Sequence, residues 1–152
     1  QERPLEEVYA VVFMDAIHYH VRSEGRIVKR AVYIALGIDM NGKKDVLGMY
    51  VGENESAKFW HDNWATLSTY FKYPEAVRRL IYTTNAIEGF NRQLRKVTKS
   101  KTVFPSDDSL LKMLYLATMD ITKKWTGHRQ DWGQIHSQLE IYFEERLIGR
   151  SL

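Results

Sequence analysis

The first third of the chain has the hydrophobic pattern of β-strands. An apolar run over residues 8–14 is rich in β-branched residues and is interrupted by Asp15, and such a short run favours a buried strand over a helix. Further apolar stretches cover residues 26–39 and 45–51, separated by turn signals at Ser23-Glu24-Gly25 and Asn41-Gly42. Because short turns join only antiparallel neighbours, the pattern predicts a three-stranded antiparallel meander.

After Gly52 the apolar residues recur at three- and four-residue intervals, which is typical of helices. The predicted fold class is therefore α+β, with four or five helices after the meander. Start and stop signals place these helices at residues 56–73, 74–82, 85–98, from 105–108 onward, and 131–146. Trp125 and Trp132 flank the last turn and are expected to pack in the core or between helices, with base stacking as the alternative.

Composition narrows the function classes. A chain of 152 residues with 44% hydrophobic residues suits one globular domain. The absence of cysteine excludes disulfide scaffolds, thiol nucleophiles and sulfur-ligated zinc. The sequence has no apolar run long enough to span a membrane, no phosphate-loop spacing and no serine nucleophile elbow. We therefore expect a cytosolic protein without a membrane partner.

Positive charge is concentrated in one segment. The formal net charge is only +3, but residues 78–101 hold seven Lys or Arg against a single acid, Glu88. Such a patch favours a polyanionic partner such as nucleic acid, with an ordinary solvated basic helix as the alternative.

Asp15 is the first candidate functional residue because it interrupts an apolar strand, where an ionised carboxylate loses hydration unless a cation or several donors replace it. The alternative is that Asp15 ends the strand and accepts hydrogen bonds from a loop. Side chains alternate along a strand, so Asp15 shares a face with Phe13 and Ile17, whereas His18 and His20 take the other face. We do not expect these histidines to bind one ion together with Asp15.

Glu88 is the second candidate. On the helix predicted over residues 85–98, one face is apolar and the opposite side carries a basic row headed by this single acid. The apolar face is expected to contain Ile87, Phe90, Leu94 and Val97, and the opposite row Glu88, Arg92, Arg95 and Lys99. Glu88 is either a metal-binding carboxylate beside phosphate-binding cations or half of an ordinary ion pair with Arg92.

The segment Tyr82-Thr83-Thr84-Asn85-Ala86-Ile87-Glu88-Gly89-Phe90-Asn91-Arg92-Gln93-Leu94-Arg95-Lys96-Val97-Thr98-Lys99 resembles the signature of the Mutator-type bacterial insertion-sequence transposases. Shorter segments resemble the same family along almost the whole chain. They are residues 13–18, 31–37, 46–48, 52–55, 103–107, 124–125 and 131–134.

The resemblance implies a ribonuclease-H-like core in which three carboxylates hold two divalent cations, Mg²⁺ or Mn²⁺, for phosphoryl transfer on DNA. It assigns the first catalytic, metal-binding aspartate to Asp15 and the final glutamate to Glu88. The partner implied is DNA at the transposon ends. The basic residues that would run along its phosphates are Arg92, Arg95, Lys96, Lys99 and Lys101.

The chain departs from the family between these two carboxylates. The strand bearing the second catalytic Asp and a helical insertion are missing, as if excised in frame near residues 60–61, and helical phase survives the join. Residues 1–152 are thus expected to form a single truncated catalytic domain. Asp39 or Asp62 could replace the missing Asp only by accident, so the site is expected to be weak or inactive.

Three functions remain open from the sequence. The first is a transposase derivative with impaired cleavage. The second is an inhibitor that binds DNA or the parent transposase, and the third is a folded remnant without function. The lost strands would expose a sheet edge, which predicts a homodimer. The family implies a bacterial cytoplasmic protein associated with the nucleoid.

Overall fold

The computed structural model describes residues 4–6, 8–52 and 74–147. The strands are β1 (Tyr9–Ser23), β2 (Arg26–Asp39) and β3 (Lys44–Gly52). The helices are α1 (Glu75–Tyr82), α2 (Asn85–Thr98), α3 (Asp107–Thr122), α4 (Trp132–Tyr142) and α5 (Glu144–Leu147). The helix predicted over residues 56–73, the join near residues 60–61 and Asp62 lie outside the described residues.

The three strands form an antiparallel sheet in the order β1-β2-β3, which confirms the predicted meander and the α+β class. The β1–β2 turn places Glu24 and Gly25 in the left-handed region, and the β2–β3 turn does the same with Gly42. A left-handed conformation is accessible to glycine at little cost, which explains why these turns are so short.

Alternation along the strands places one face of the sheet against the helices. On β1 the buried side chains are Phe13, Ile17, Tyr19 and Val21. On β2 they include Val32, Ile34 and Leu36, which lie opposite β1 on the same face. His18 and His20 are exposed on the other face, as predicted.

Helix α2 packs against β1 and α3, and its buried face differs in part from the prediction. Ile87, Phe90 and Leu94 are buried, but Val97 is 45% exposed and Thr98 is buried in its place. A step of four residues from Leu94 to Thr98 follows the 3.6-residue repeat across the sheet better than a step of three. The expectation for Val97 was therefore wrong.

The segment between α2 and α3 is tied to the outer edge of β1. The Arg22 N–H donates to the Phe104 carbonyl at 2.8 Å, and the Phe104 N–H donates to the His20 carbonyl at 2.9 Å. These bonds form an isolated parallel bridge between Val21 and Phe104. Ser106 then caps α3 by accepting a hydrogen bond from the Ser109 N–H, as the start signal predicted.

The last helix is interrupted, so the prediction of one helix over residues 131–146 was wrong. The backbone leaves helical geometry at Phe143 (φ −123°, ψ 27°), and a short helix resumes at Glu144. The break lets the Phe143 ring pack against the core, while Tyr142 stays half exposed. Among the described helices, none is long and apolar enough to cross a membrane.

Candidate carboxylate pair and nucleic-acid interface

Asp15 lies in the middle of β1, not at its end, because the strand continues to Ser23. Its Oδ1 accepts a hydrogen bond from the Ala16 N–H at 2.8 Å, and its Oδ2 accepts one from Asn91 Nδ2 at 2.7 Å. The side chain is exposed, although a buried one was expected. Since β1 is an edge strand of the sheet, a side chain on its covered face can still reach solvent. The strand-end alternative is therefore wrong, and so is the expected burial, whereas the role of Asp15 as a metal-binding carboxylate stays a prediction.

Glu88 lies in the first turn of α2, where a negative charge interacts favourably with the helix dipole. Its Oε1 accepts a hydrogen bond from the Thr84 hydroxyl at 2.6 Å. No ion pair joins Glu88 to Arg92 within the described ranges, so the simple pair four residues apart is wrong for this structure. The Glu88 side chain is exposed.

Asn91 contacts Asp15 from the helix that carries Glu88. It occupies the sheet-facing side of α2, is buried, and donates to Asp15 from one helical turn beyond Glu88. Three residues advance a helix by about 4.5 Å, and side chains spaced this way lie on the same side. The fold therefore places Glu88 on the helix that contacts Asp15, one turn before Asn91. Sequence reasoning missed Asn91, although an amide four residues after Ile87 and three before Leu94 on an apolar face was a visible signal.

The five basic residues expected to contact DNA are all exposed and follow α2 away from its buried face. They are Arg92, Arg95, Lys96, Lys99 and Lys101. None of them is ion-paired with another described residue. Unpaired surface cations of one sign produce a field that attracts an anionic partner.

Tyr19 on β1 lies beneath this row. Burial raises the pKa of the Tyr19 hydroxyl, while a hydrogen bond with Thr98 and the positive charge of Arg95 act in the opposite direction. The Thr98 hydroxyl lies 3.5 Å from the Tyr19 hydroxyl, at the limit of a hydrogen bond. The positive charge of Arg95 therefore favours the ionised form of the Tyr19 hydroxyl on β1, even though the Arg95 side chain is exposed.

The carboxylates of the described residues do not by themselves complete the two-metal centre that the resemblance implies. Across the described ranges, no group of three His, Cys, Asp or Glu side chains is placed to hold a metal ion. Asp39 is five residues along β2 from Ile34, the partner of Asp15 in the register, which is roughly 17 Å. Its Oδ1 accepts from the Asn41 and Lys43 N–H groups of the β2–β3 turn. Asp39 is thus committed to a turn and cannot supply a third ligand.

Trp125 and Trp132 both pack against the core, as predicted. The Trp125 ring meets Phe90 of α2 edge to face, with centroids 5.8 Å apart. Trp132 is buried, and its indole N–H donates to the Met40 carbonyl at 2.9 Å. The Trp132 ring is thus enclosed by the protein, and the Lys44 ammonium lies over the partly buried Trp125 ring, 4.6 Å from its centroid.

Comparison with known proteins places these features in context. The model of a family described as "Transposase, Mutator family" matches the chain in two segments, residues 1–68 and 60–128. The transposase for insertion sequence element ISRM3 of Rhizobium meliloti (strain 1021) is 25% identical over 250 residues, covering 98% of this chain and 62% of the relative.

Two further relatives carry similar names. A probable transposase for an insertion sequence element of Corynebacterium diphtheriae is 23% identical over 230 residues, with 85% of this chain and 67% of the relative covered. The transposase for insertion sequence element IS406 of Burkholderia multivorans is 48% identical over 60 residues, 40% of this chain and 15% of the relative. The chain thus spans about three-fifths of the length of the Rhizobium relative.

Proposed function

Since the chain belongs to the Mutator family of transposases, we propose that it is a transposase derivative that binds DNA through α2 and cleaves it weakly or not at all. The observation that carries this proposal is the row of exposed basic side chains along and just after the helix that bears Glu88, none of which forms an ion pair with another described residue. A second role, inhibition of a parent transposase by competition for the same DNA, follows from the same binding and stays a prediction.

DNA binding is supported by the side of α2 on which the basic side chains lie. The apolar residues of α2 hold it on the sheet, so Arg92, Arg95, Lys96 and Lys99 remain free on the outer side. Lysine and arginine that neutralise phosphates release counterions, which gives salt-sensitive affinity without base readout. The ligand proposed is therefore the DNA backbone, and sequence preference for transposon ends would need residues outside this row.

Impaired cleavage is supported by the two carboxylates and by the alignments. Asp15 and Glu88 are the pair that the family resemblance assigns, but the described residues offer no third carboxylate beside them. The Rhizobium relative aligns over 250 positions although this chain has 152 residues, so about a hundred positions of the alignment have no counterpart here. The family model also matches in two separate segments that meet at residues 60–68. These findings support an internal deletion near residues 60–61 that removed the second Asp from a ribonuclease-H-like core.

Fluorescence anisotropy with a labelled DNA duplex, repeated over a range of salt concentrations, tests the binding proposal. Wild-type affinity should fall steeply with salt, and Arg92→Ala or Arg95→Ala should each reduce the slope of log K against log salt by about 0.9. Lys123→Ala is the matched control: it removes one positive charge from an exposed lysine at the end of α3. A slope reduced equally by all three variants would contradict binding through α2.

The homodimer expected from the sequence also stays a prediction. Beyond the Phe104 bridge, the outer edge of β1 has no strand partner among the described residues. An open edge can pair with a second copy. Sedimentation equilibrium across the micromolar range should show a dimer, and a monomer at every concentration would contradict it.

A further inference from the structure

Asn91 is an unusual residue for the buried side of a helix. The described part of the chain buries only two polar or charged side chains, Asn91 and Thr98, and both belong to α2. Asn91 is 2% exposed and lies among the apolar residues that attach α2 to the sheet. A buried amide costs desolvation unless its donors and its acceptor are satisfied.

The amide of Asn91 is satisfied on one side only. Its Nδ2 donates to Asp15 Oδ2 at 2.7 Å, which is short, as expected when the acceptor is ionised. The orientation is fixed by chemistry, because an ionised carboxylate can only accept and the amide oxygen can only accept. Asn91 Oδ1 is buried without a hydrogen-bond partner among the described residues. The stabilisation from the hydrogen bond to Asp15 is therefore largely offset by the desolvation cost of the unpaired Oδ1. Asn91 thus positions the Asp15 side chain more than it stabilises the fold.

A second polar contact, between Thr98 and Tyr19, shows how α2 is oriented on β1. Thr98 approaches Tyr19 seven residues after Asn91 on α2 and four residues after Asp15 on β1. Seven helical residues rise about 10.5 Å and four strand residues about 13.6 Å, so the two spacings are comparable. Helix α2 therefore runs alongside β1 in the same direction. Asn91 fixes the end of this contact that carries both carboxylates.

We propose that Asn91 is a positioning residue that holds the Asp15 carboxylate toward α2 and Glu88 through protein hydrogen bonds, where a cation would otherwise be needed to hold it. Oδ1 of Asp15 is held by the Ala16 N–H and Oδ2 by Asn91, so both oxygens have a protein donor. The inference rests on the proposed function in taking Asp15 and Glu88 as the family's carboxylate pair. Its tests contain no DNA, so its failure is distinguishable from failure of the binding proposal.

Exchanging the two side chains tests the contact. Asn91→Asp alone places two carboxylates against each other and should lower the thermal midpoint at neutral pH by about 3–6 °C. Combining it with Asp15→Asn restores one amide and one carboxylate, so the double variant should recover at least half of that loss. A double variant whose midpoint is the sum of the two single changes would overturn the direct contact.

A spectroscopic signature keeps the proposal testable even if Asn91→Asp does not fold. In the wild-type protein the Asn91 side-chain NH₂ should give a resolved nitrogen–proton correlation with slow solvent exchange. Asp15→Ala should shift this signal and speed its exchange by at least tenfold, because the acceptor is lost. Glu88→Gln is the matched control, since it removes a carboxylate one turn away on the same helix and should leave the signal unchanged. An Asn91 signal that ignores Asp15→Ala, or that moves equally with Glu88→Gln, would overturn the assignment.

Discussion

Replacing Gly42 tests how α4 is docked on the β2–β3 turn. Gly42 lies in the β2–β3 turn with φ +77°, and a Cβ built on it would lie 2.6 Å from Cγ and Cδ2 of the Trp132 ring. That ring is buried and donates its indole N–H to the Met40 carbonyl in the same turn. Gly42→Ala should therefore strain the turn and also displace the ring that anchors α4.

The two costs can be estimated separately. A non-glycine residue in the left-handed region costs about 1–2 kcal/mol. Forcing an extra carbon into a packed contact adds about 1–3 kcal/mol, and losing the indole hydrogen bond adds about 0.5–1.5 kcal/mol. Gly42→Ala should thus lower the free energy of unfolding by several kcal/mol.

Gly25→Ala is the matched control because Gly25 has φ +73° but no atom within 4 Å of its added Cβ. It should show the conformational cost alone, so Gly42→Ala should exceed it by about 1.5–4.5 kcal/mol. Urea unfolding followed by circular dichroism measures both variants, and tryptophan fluorescence reports the displaced ring. Equal losses for the two glycines would refute the packing of Trp132 over the turn.

Two further predictions concern the contact between α2 and β1. Leu94→Ala should lower the free energy of unfolding in urea by about 2–5 kcal/mol because Leu94 is fully buried, whereas Val97→Ala should change it by no more than about 0.5 kcal/mol. Similar losses for the two variants would show that Val97 belongs to the buried face, as the sequence first indicated. For Tyr19, burial raises the pKa, with Thr98 and Arg95 opposing. The pKa of Tyr19 is then higher in the folded protein than the value of about 10 in the unfolded chain. The neutral Tyr19 hydroxyl therefore contributes fully to the free energy of unfolding below pH 10, and this contribution is lost as pH rises through the folded pKa. Tyr19→Phe should remove that loss above pH 10, and an unchanged pH dependence of unfolding would contradict it.

Local signals were sufficient for most of the described elements. The bounds of β2 match the prediction, and α1 to α3 begin where the proline, Thr84 and Ser106 signals placed them. The length of β1 was underestimated because its second half alternates exposed His18 and His20 with buried Tyr19 and Val21. That period of two is itself a strand signal, but it is weaker than an unbroken apolar run.

The candidate site was predictable only as separate residues. Asp15 and Glu88 could be identified from their unusual surroundings and the family resemblance, and the exposed basic row from the charge pattern. The hydrogen bond from Asn91, one turn after Glu88, to Asp15 depends on how α2 lies on β1, which is a tertiary contact across 76 residues of sequence. The Phe104 bridge to β1 was hidden for the same reason.

Nicking of supercoiled plasmid DNA in Mn²⁺ tests the central claim most directly, because manganese tolerates imperfect ligand geometry and gives the proposed site its best opportunity to cleave. Wild-type protein should be compared with Asp15→Asn and Glu88→Gln prepared identically. We predict no nicking by the wild-type chain above the level of the two variants, while DNA binding is retained. Nicking that is present in the wild type and lost in both variants would contradict the claim, since Asp15 and Glu88 would then be required for DNA cleavage by this chain.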